Sequence, residues 1–329
     1  MMTRQKENTT PLRGVWQTIA AGFDLTSKHL WLVILPVILD CFLWLGPRLS
    51  GRLLIEQFVG LLPADPTLVD FNSQLLALAP RTNLFTSLSV PLAGIPALMV
   101  GVTPEKTPLT PQVIELNSVG LWLGLFLVLT LAGVLLTAVY FVLIARAVRS
   151  PTGEAQAAGM ELWGRIGRMW LSFLALGVLL LILGFILYVP LLPIALLLGL
   201  ISPVLGALVV LLGPVILLWV IVYLFFAPHG LAMYGRSLYQ AVSESLLLVR
   251  THFASTLGLL LVVFIIRNLL GMVLLIADDG SWLTLASILG HAFVMTSLTV
   301  ATFIFYRDRH PLSLLERQRQ PHSTLEQSS

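Results

Sequence analysis

Charge is scarce in this chain and missing from its middle. Only 11% of the 329 residues are Asp, Glu, Lys or Arg, and none of these stands between Met169 and Gly235. A soluble domain carries about 25%. One membrane helix needs about 20 apolar residues to cross a hydrocarbon core ~30 Å thick. The run from Leu171 to Ala227 has room for two crossings and a tight turn. The bilayer is therefore the solvent against which this sequence must be read. Cysteine is almost absent too. Cys41 stands alone, which excludes an internal disulfide and any cysteine-based metal cluster. No Gly-rich phosphate loop, HExxH, GxSxG or CxxC occurs. The sequence thus points to no catalytic residue, cofactor or metal, and the chain reads as a non-enzyme. The net charge of +3 and the pI near 9.2 do not argue for nucleic acid. In membrane proteins, Lys and Arg concentrate on the cytoplasmic side and set orientation. No cleavable signal peptide is expected, since the first apolar run starts near Leu30 behind a mostly polar segment.

What is present is apolar: 57% of residues are hydrophobic. The pattern predicts an all-α, polytopic membrane protein, one membrane domain over 1–329. Six transmembrane spans are expected, at Leu30–Gly46, Val119–Ala145, Leu171–Leu192, Val204–Ala227, Thr256–Ala277 and Trp282–Tyr306. Gly199 to Pro203 favours a hairpin between the third and fourth, and Asp278-Asp279-Gly280-Ser281 a turn between the fifth and sixth. Basic residues gather in four segments. They are Arg4 to Lys28, Arg146 to Arg168, Arg236 to Arg250, and the tail 307–329 with Arg307, Arg309, Arg317 and Arg319. This bias predicts both termini in the cytoplasm of a bacterial inner-membrane protein, with a tail, 307–329, that is disordered.

Each cytoplasmic segment carries an amphipathic pattern just before a span. Leu12, Val15, Trp16, Ile19, Ala20 and Phe23 share one face, with Gln17 and Thr18 expected toward water. Trp163, Ile166, Gly167 and Trp170 share another. Tyr234, Leu238, Ala241, Val242, Ser245, Leu246 and Val249 make the third. Three interfacial helices, each followed by a helical hairpin, would make a three-unit repeat. Amphipathic linkers of any polytopic protein explain the pattern equally well. The long loop, 47–118, holds two more amphipathic stretches, around Leu49–Leu62 and Leu68–Leu78. Residues 82–104 carry no charge before Pro104 but are broken by Pro91, Gly94 and Pro96, which predicts an interfacial or re-entrant path rather than a crossing. The basic Gly164-Arg165-Ile166-Gly167-Arg168 is expected against anionic head groups. Ser243-Glu244-Ser245 is expected on a solvated face with some packing, and His29 and His252 as interface anchors.

Polar residues inside spans are costly, and they usually face the bundle interior or water. Asp40, Arg267, Asn268 and His291 are such residues, at similar depth by helical rise. They form the candidate intramembrane polar cluster, with Asp40 as counter-ion of Arg267 and His291 beside them. A structural pair that fixes helix packing and a proton- or substrate-linked site are both compatible with it.

Phe225-Phe226-Ala227-Pro228, followed by Leu238, Ala241, Ser243, Ser245 and Leu248-Val249-Arg250, resembles a pattern in bacterial six-helix membrane proteins. These include the membrane domain fused to some glycerophosphodiester phosphodiesterases. The resemblance covers some thirty residues and implies a fold and a membrane location. The phosphodiesterase domain is absent, so that activity is not implied. The function expected is a non-enzymatic membrane scaffold or accessory subunit. Its expected partners are membrane lipids and a membrane protein or a second copy of itself. The alternative is a small permease with its polar site at Asp40, Arg267 and His291.

Overall fold

A computed structural model describes residues 12–63, 68–89, 94–100, 107–150, 159–274 and 280–310. Helices dominate: α1 (Val15–Lys28), α2 (Ile34–Leu45), α3 (Arg52–Leu61), α4 (Val69–Leu78), α5 (Val119–Arg149), α6 (Gly159–Ile201), α7 (Pro203–Leu224), α8 (Ala227–Tyr234), α9 (Leu238–Thr251), α10 (Phe253–Leu274) and α11 (Leu283–Arg309). Five of the helical segments are long and apolar enough to cross a membrane, with up to six crossings if the bent pair Val15–Lys28 and Leu30–Leu45 counts as one. Strands β1 (Arg48–Ser50) and β2 (Val113–Glu115) form a small parallel pair that closes the long loop at its base.

The bundle has two ends. At the terminal end, Arg13 lies 3.5 Å from Asp308, Arg309 donates to the carbonyl of Arg13, and Arg307 donates to the carbonyl of Val148. The starts of α1 and the ends of α5 and α11 are thereby tied. At the loop end, Trp44 packs edge-on against Trp282, 5.8 Å between centroids. The tail was expected to be disordered from residue 307, but Asp308, Arg309 and His310 are buried, Arg309 with its guanidinium 3.6 Å from the Phe305 ring. Residues 311–329 lie outside the described residues.

The core inverts the logic of a soluble protein. Helix α11 is the least apolar of the five candidate spans and the most buried, while α6 and α10 are among the most exposed. Lipid tails are as apolar as leucine, so contact between helices is driven by close packing and hydrogen bonds. α11 brings both. Tyr140 on α5 donates to Thr296 Oγ1 at 3.0 Å, and His229 Nε2 on α8 lies 2.8 Å from Thr302 Oγ1. Since the Thr302 hydroxyl donates to the Thr299 carbonyl at 2.7 Å, the imidazole Nε2–H is the donor toward Thr302.

Helix α1 does not merely lie in an interface. It turns 95° from the segment that follows and packs onto α11. Gly22 makes this approach possible, since a Cβ there would stand 2.4 Å from the Ser297 carbonyl oxygen and 2.7 Å from the Ala301 methyl. Ile19 is buried and Phe23 meets Phe293 edge-on at 5.9 Å, but Trp16 is outside. Thr18, expected toward water, is fully buried and donates to the Gly14 carbonyl. One residue's rotation of the apolar arc, forced by the Gly22 contact, carries it inward.

The second amphipathic segment is not a separate helix. Trp163 to Trp170 is the opening of α6, which runs unbroken to Ile201 through Pro190 and Pro193. The helix therefore continues past Leu192, where the span was expected to end. From Met169 to Ile201 the helix extends roughly 50 Å at ~1.5 Å per residue, well beyond one hydrocarbon core. It packs back against α7, where a Cβ on Gly206 would stand 2.9 Å from the Gly199 Cα. The fourth expected span ended at Ala227, but the chain breaks at Phe225-Phe226 and resumes as α8. In the fifth, α10 ends at Leu274, and 275–279 lie outside the described residues. The loop helices α3 and α4 lie inside the two expected stretches, but Leu49, expected in the first helix, belongs to β1. Within 82–104, the described parts are a 3₁₀ turn, Leu84–Leu88, and the non-helical stretch 94–100. Neither is a crossing helix.

Candidate functional site

The intramembrane polar residues do not meet as one ion pair. Asp40, on α2, is fully buried. Its carboxylate accepts from the backbone N–H of Leu98 at 2.9 Å and of Met99 at 2.8 Å. A carboxylate with two amide donors is a strong, charge-assisted acceptor. Asp40 is therefore a clip that holds residues 94–100 inside the bundle. The expected pairing of Asp40 with Arg267 is not found: no ion pair joins them, and the amides of a loop segment have taken the carboxylate. His291 does stand beside Asp40, its Nδ1 3.9 Å from Oδ2 and without a hydrogen-bond partner.

Arg267, Asn268 and His291 come together differently. All three line a pocket of ≈ 330 Å³ between α10, α11 and the clipped segment. Arg267 and Asn268 are exposed, and the Asn268 amide donates to the Phe264 carbonyl at 2.7 Å. Among the described residues no Asp or Glu lines this pocket. No cluster of His, Cys, Asp and Glu suited to a metal occurs among the described residues.

A second and larger cavity lies at the loop end. A chamber of ≈ 1000 Å³ opens between α3, α4 and the start of α5. Its walls include Leu54, Phe58, Phe71, Leu75, Trp122 and Phe126, and its polar groups are Arg81, Thr82, Asn83, Thr86 and Ser87. Asn83 fixes one wall: its carbonyl oxygen accepts from the N–H of Leu49 at 3.3 Å and of Phe85 at 3.2 Å. Gly51 N–H donates to Thr82 Oγ1 at 3.0 Å. The Leu84–Leu88 turn sits on α5 at Gly133, where a Cβ would stand 2.6 Å from the Ser87 carbonyl. Behind this wall, burial holds the Arg48 guanidinium below its ordinary pKa. Val100 lines both this chamber and the polar pocket. Periodicity shows α3 and α4 in the sequence, but not that their apolar faces leave a space between them.

The terminal end holds a network that the sequence left out. Glu244, expected on a solvated face, accepts from Tyr306 Oη at 3.2 Å and lies 3.1 Å from both Arg236 Nε and His310 Nε2. Ser245 is fully buried. Its hydroxyl donates to the Tyr223 carbonyl at 2.7 Å and accepts from the Phe226 N–H at 3.1 Å. It thus satisfies both sides of the break between α7 and α8. His229 is buried among Phe141, Phe225, Phe226 and Phe303. It escaped notice because the fourth span was ended two residues before it.

No protein family, curated protein sequence or solved structure matches this chain.

Proposed function

We propose that this chain is a non-catalytic membrane protein that holds an amphiphilic lipid at the loop end of its bundle. The observation that carries this reading is the ≈ 1000 Å³ chamber. Ligand pockets span about 300–1,000 Å³ and combine apolar walls with a few placed polar groups. Here the walls are leucine and aromatic side chains, and Arg81, Asn83 and Thr86 supply the polar groups. A lipid is the natural occupant. The chamber is built by amphipathic helices next to the membrane end of α5, where a chain from the bilayer reaches it without crossing water. Orientation belongs to the same proposal: both termini cytoplasmic, the chamber on the outer face of a bacterial inner membrane, as the basic residues suggest. The resemblance to six-helix bacterial membrane domains agrees with this location and adds no activity.

The test is lipid capture. Protein purified in a non-lipid detergent is incubated with a photoreactive phospholipid, and the cross-linked peptides are identified. Adducts on 49–58, 71–87 or 119–126 support the reading. Adducts confined to α6 and α7 would refute it. Reporter fusions at Asp65 and Asp279 test orientation, and a cytoplasmic signal at Asp65 would overturn that part.

A permease is the second reading, favoured by the pocket at Arg267 and His291. Asp40 adds little to it, because its carboxylate is committed to backbone amides.

A further inference from the structure

The polar pocket and the apolar chamber meet at Val100, in the segment clipped by Asp40. Pro96, Ala97, Leu98 and Val100 line the pocket, and Val100 also lines the chamber. Arg267 is seven residues from the loop end of α10 and His291 eight residues into α11. At ~1.5 Å per residue both lie about 10–12 Å below that end of the bundle. A guanidinium at this depth is costly to hold without a counter-ion. Arg267 makes no ion pair among the described residues. The nearest buried carboxylate, Asp40, already accepts from two amide donors and lies 3.9 Å from His291 Nδ1. What remains, among the described residues, is a cavity lined by a permanent cation and a buried imidazole, with no acid in its walls. Its chemistry selects an anion. Arg presents a planar fork of donors that matches a phosphate.

We propose that this pocket takes the phosphate head group of an anionic amphiphile, with Arg267 as its principal donor and the acyl chain directed into the chamber. The inference rests on reading the chamber as a lipid site, and it adds the ligand's charge class and the residue that selects it. The shared chemistry is a phosphate anion, whether it belongs to a lipid or is free in solution.

The experiment measures binding to the full-length protein in neutral detergent by native mass spectrometry. Ligands are phosphatidylglycerol, a diacylglycerol of the same chains, and inorganic phosphate. Variants are Arg267→Gln, which alters an exposed side chain and leaves the core alone, and Leu75→Trp, which fills the chamber. The wild type should prefer phosphatidylglycerol over diacylglycerol by about tenfold or more, the scale of one charged hydrogen-bonded contact. Arg267→Gln should abolish that preference while diacylglycerol still binds. Leu75→Trp should weaken both lipids. If Arg267→Gln keeps the preference, the head-group assignment is overturned and the chamber reading stands. If Leu75→Trp changes neither lipid, the chamber reading is overturned, and with it the path of the chain. Inorganic phosphate binding as tightly as phosphatidylglycerol would overturn a lipid head group in favour of a free anion.

Discussion

Replacing Asp40 should release a wall without unfolding the bundle. Its carboxylate accepts two backbone N–H groups, at 2.9 and 2.8 Å, and is fully buried. Asp40→Ala removes both acceptors and leaves two donors orphaned, each at a cost of about 1–3 kcal/mol. The local penalty is then about 2–6 kcal/mol. A tenfold change corresponds to about 1.4 kcal/mol, so the opening equilibrium of residues 94–100 should rise roughly 30-fold or more. Asp40→Asn keeps one oxygen as acceptor but turns an NH₂ group toward the second donor, so it should fall between. Hydrogen exchange reads the effect directly, because the Leu98 and Met99 amides are themselves the donors. Peptides covering 94–100 should exchange faster in the order wild type, Asp40→Asn, Asp40→Ala. Peptides from the buried half of α11 should keep their protection, since Asp40 holds a loop segment and not a helix. Equal protection of 94–100 in all three proteins would refute the clip. Loss of protection throughout α11 would mean that Asp40 supports the bundle as a whole.

Gly22→Ala places a Cβ 2.4 Å from the Ser297 carbonyl. It should lower thermal stability in detergent by the overpacking cost, about 1–3 kcal/mol. Gly60→Ala, with open space around it, is the control, and equal melting of the two variants would contradict the α1–α11 contact. Ser245→Ala strips the break between α7 and α8 of its bridge and orphans the Phe226 N–H. Its cost of about 1–3 kcal/mol should appear as a lower melting temperature, and an unchanged one would deny the bridge. The His252 imidazole is held below 6.5, first by burial and then by the Arg309 charge. The unfolded chain therefore binds more protons in the interval just below 6.5, so stability should rise with pH across it. His252→Gln should flatten that slope in melts between mildly acidic and neutral pH, and an identical slope would exclude His252 as its source.

Much of the architecture was open to sequence reasoning because a bilayer imposes length. Leucine-rich runs had to become helices, and α5, α7, α10 and α11 begin within a few residues of the predicted starts. α3 and α4 were visible in the spacing of Leu53, Phe58, Phe71 and Leu75. The third span was expected to end at Leu192, between Pro190 and Pro193, but α6 runs through both, since a proline leaves a membrane helix intact where neighbouring groups satisfy the freed carbonyls. At the polar site, depth grouped Asp40, Arg267 and His291, and His291 lies beside Asp40 and lines a pocket with Arg267, yet depth cannot tell which donor reaches a carboxylate first. Leu98 and Met99 hold Asp40 through backbone N–H groups, and a backbone contact leaves no trace in side-chain identity. The chamber is a space between helices, so no residue announces it.

Helices α1 and α9 share a local layout that their side chains barely show. Each has 14 residues, and each is capped at its end by a histidine, His29 and His252. Gln17 and Gln240 reach back three residues to the N–H of Gly14 and Ser237. Counting from each helix start, Thr18, Gly22, Leu25 and Thr26 are buried at the same places as Ala241, Ser245, Leu248 and Val249, and Ile19 is buried in the first helix alone. Trp16 and Tyr239 hold the same exposed place near the start. The register is common and the side chains are not, because each helix meets a different neighbour. Gly22 must admit the α11 backbone, while Ser245 must supply a hydroxyl to the α7–α8 break. Both demands exclude a large side chain at that position, and neither selects a single residue type. The segment opening α6 shares an exposed tryptophan, Trp163, and buried Ile166 and Met169, but it continues straight into its span. A helix break after the amphipathic segment, at His29 and at His252, therefore separates the first and third segments from the second.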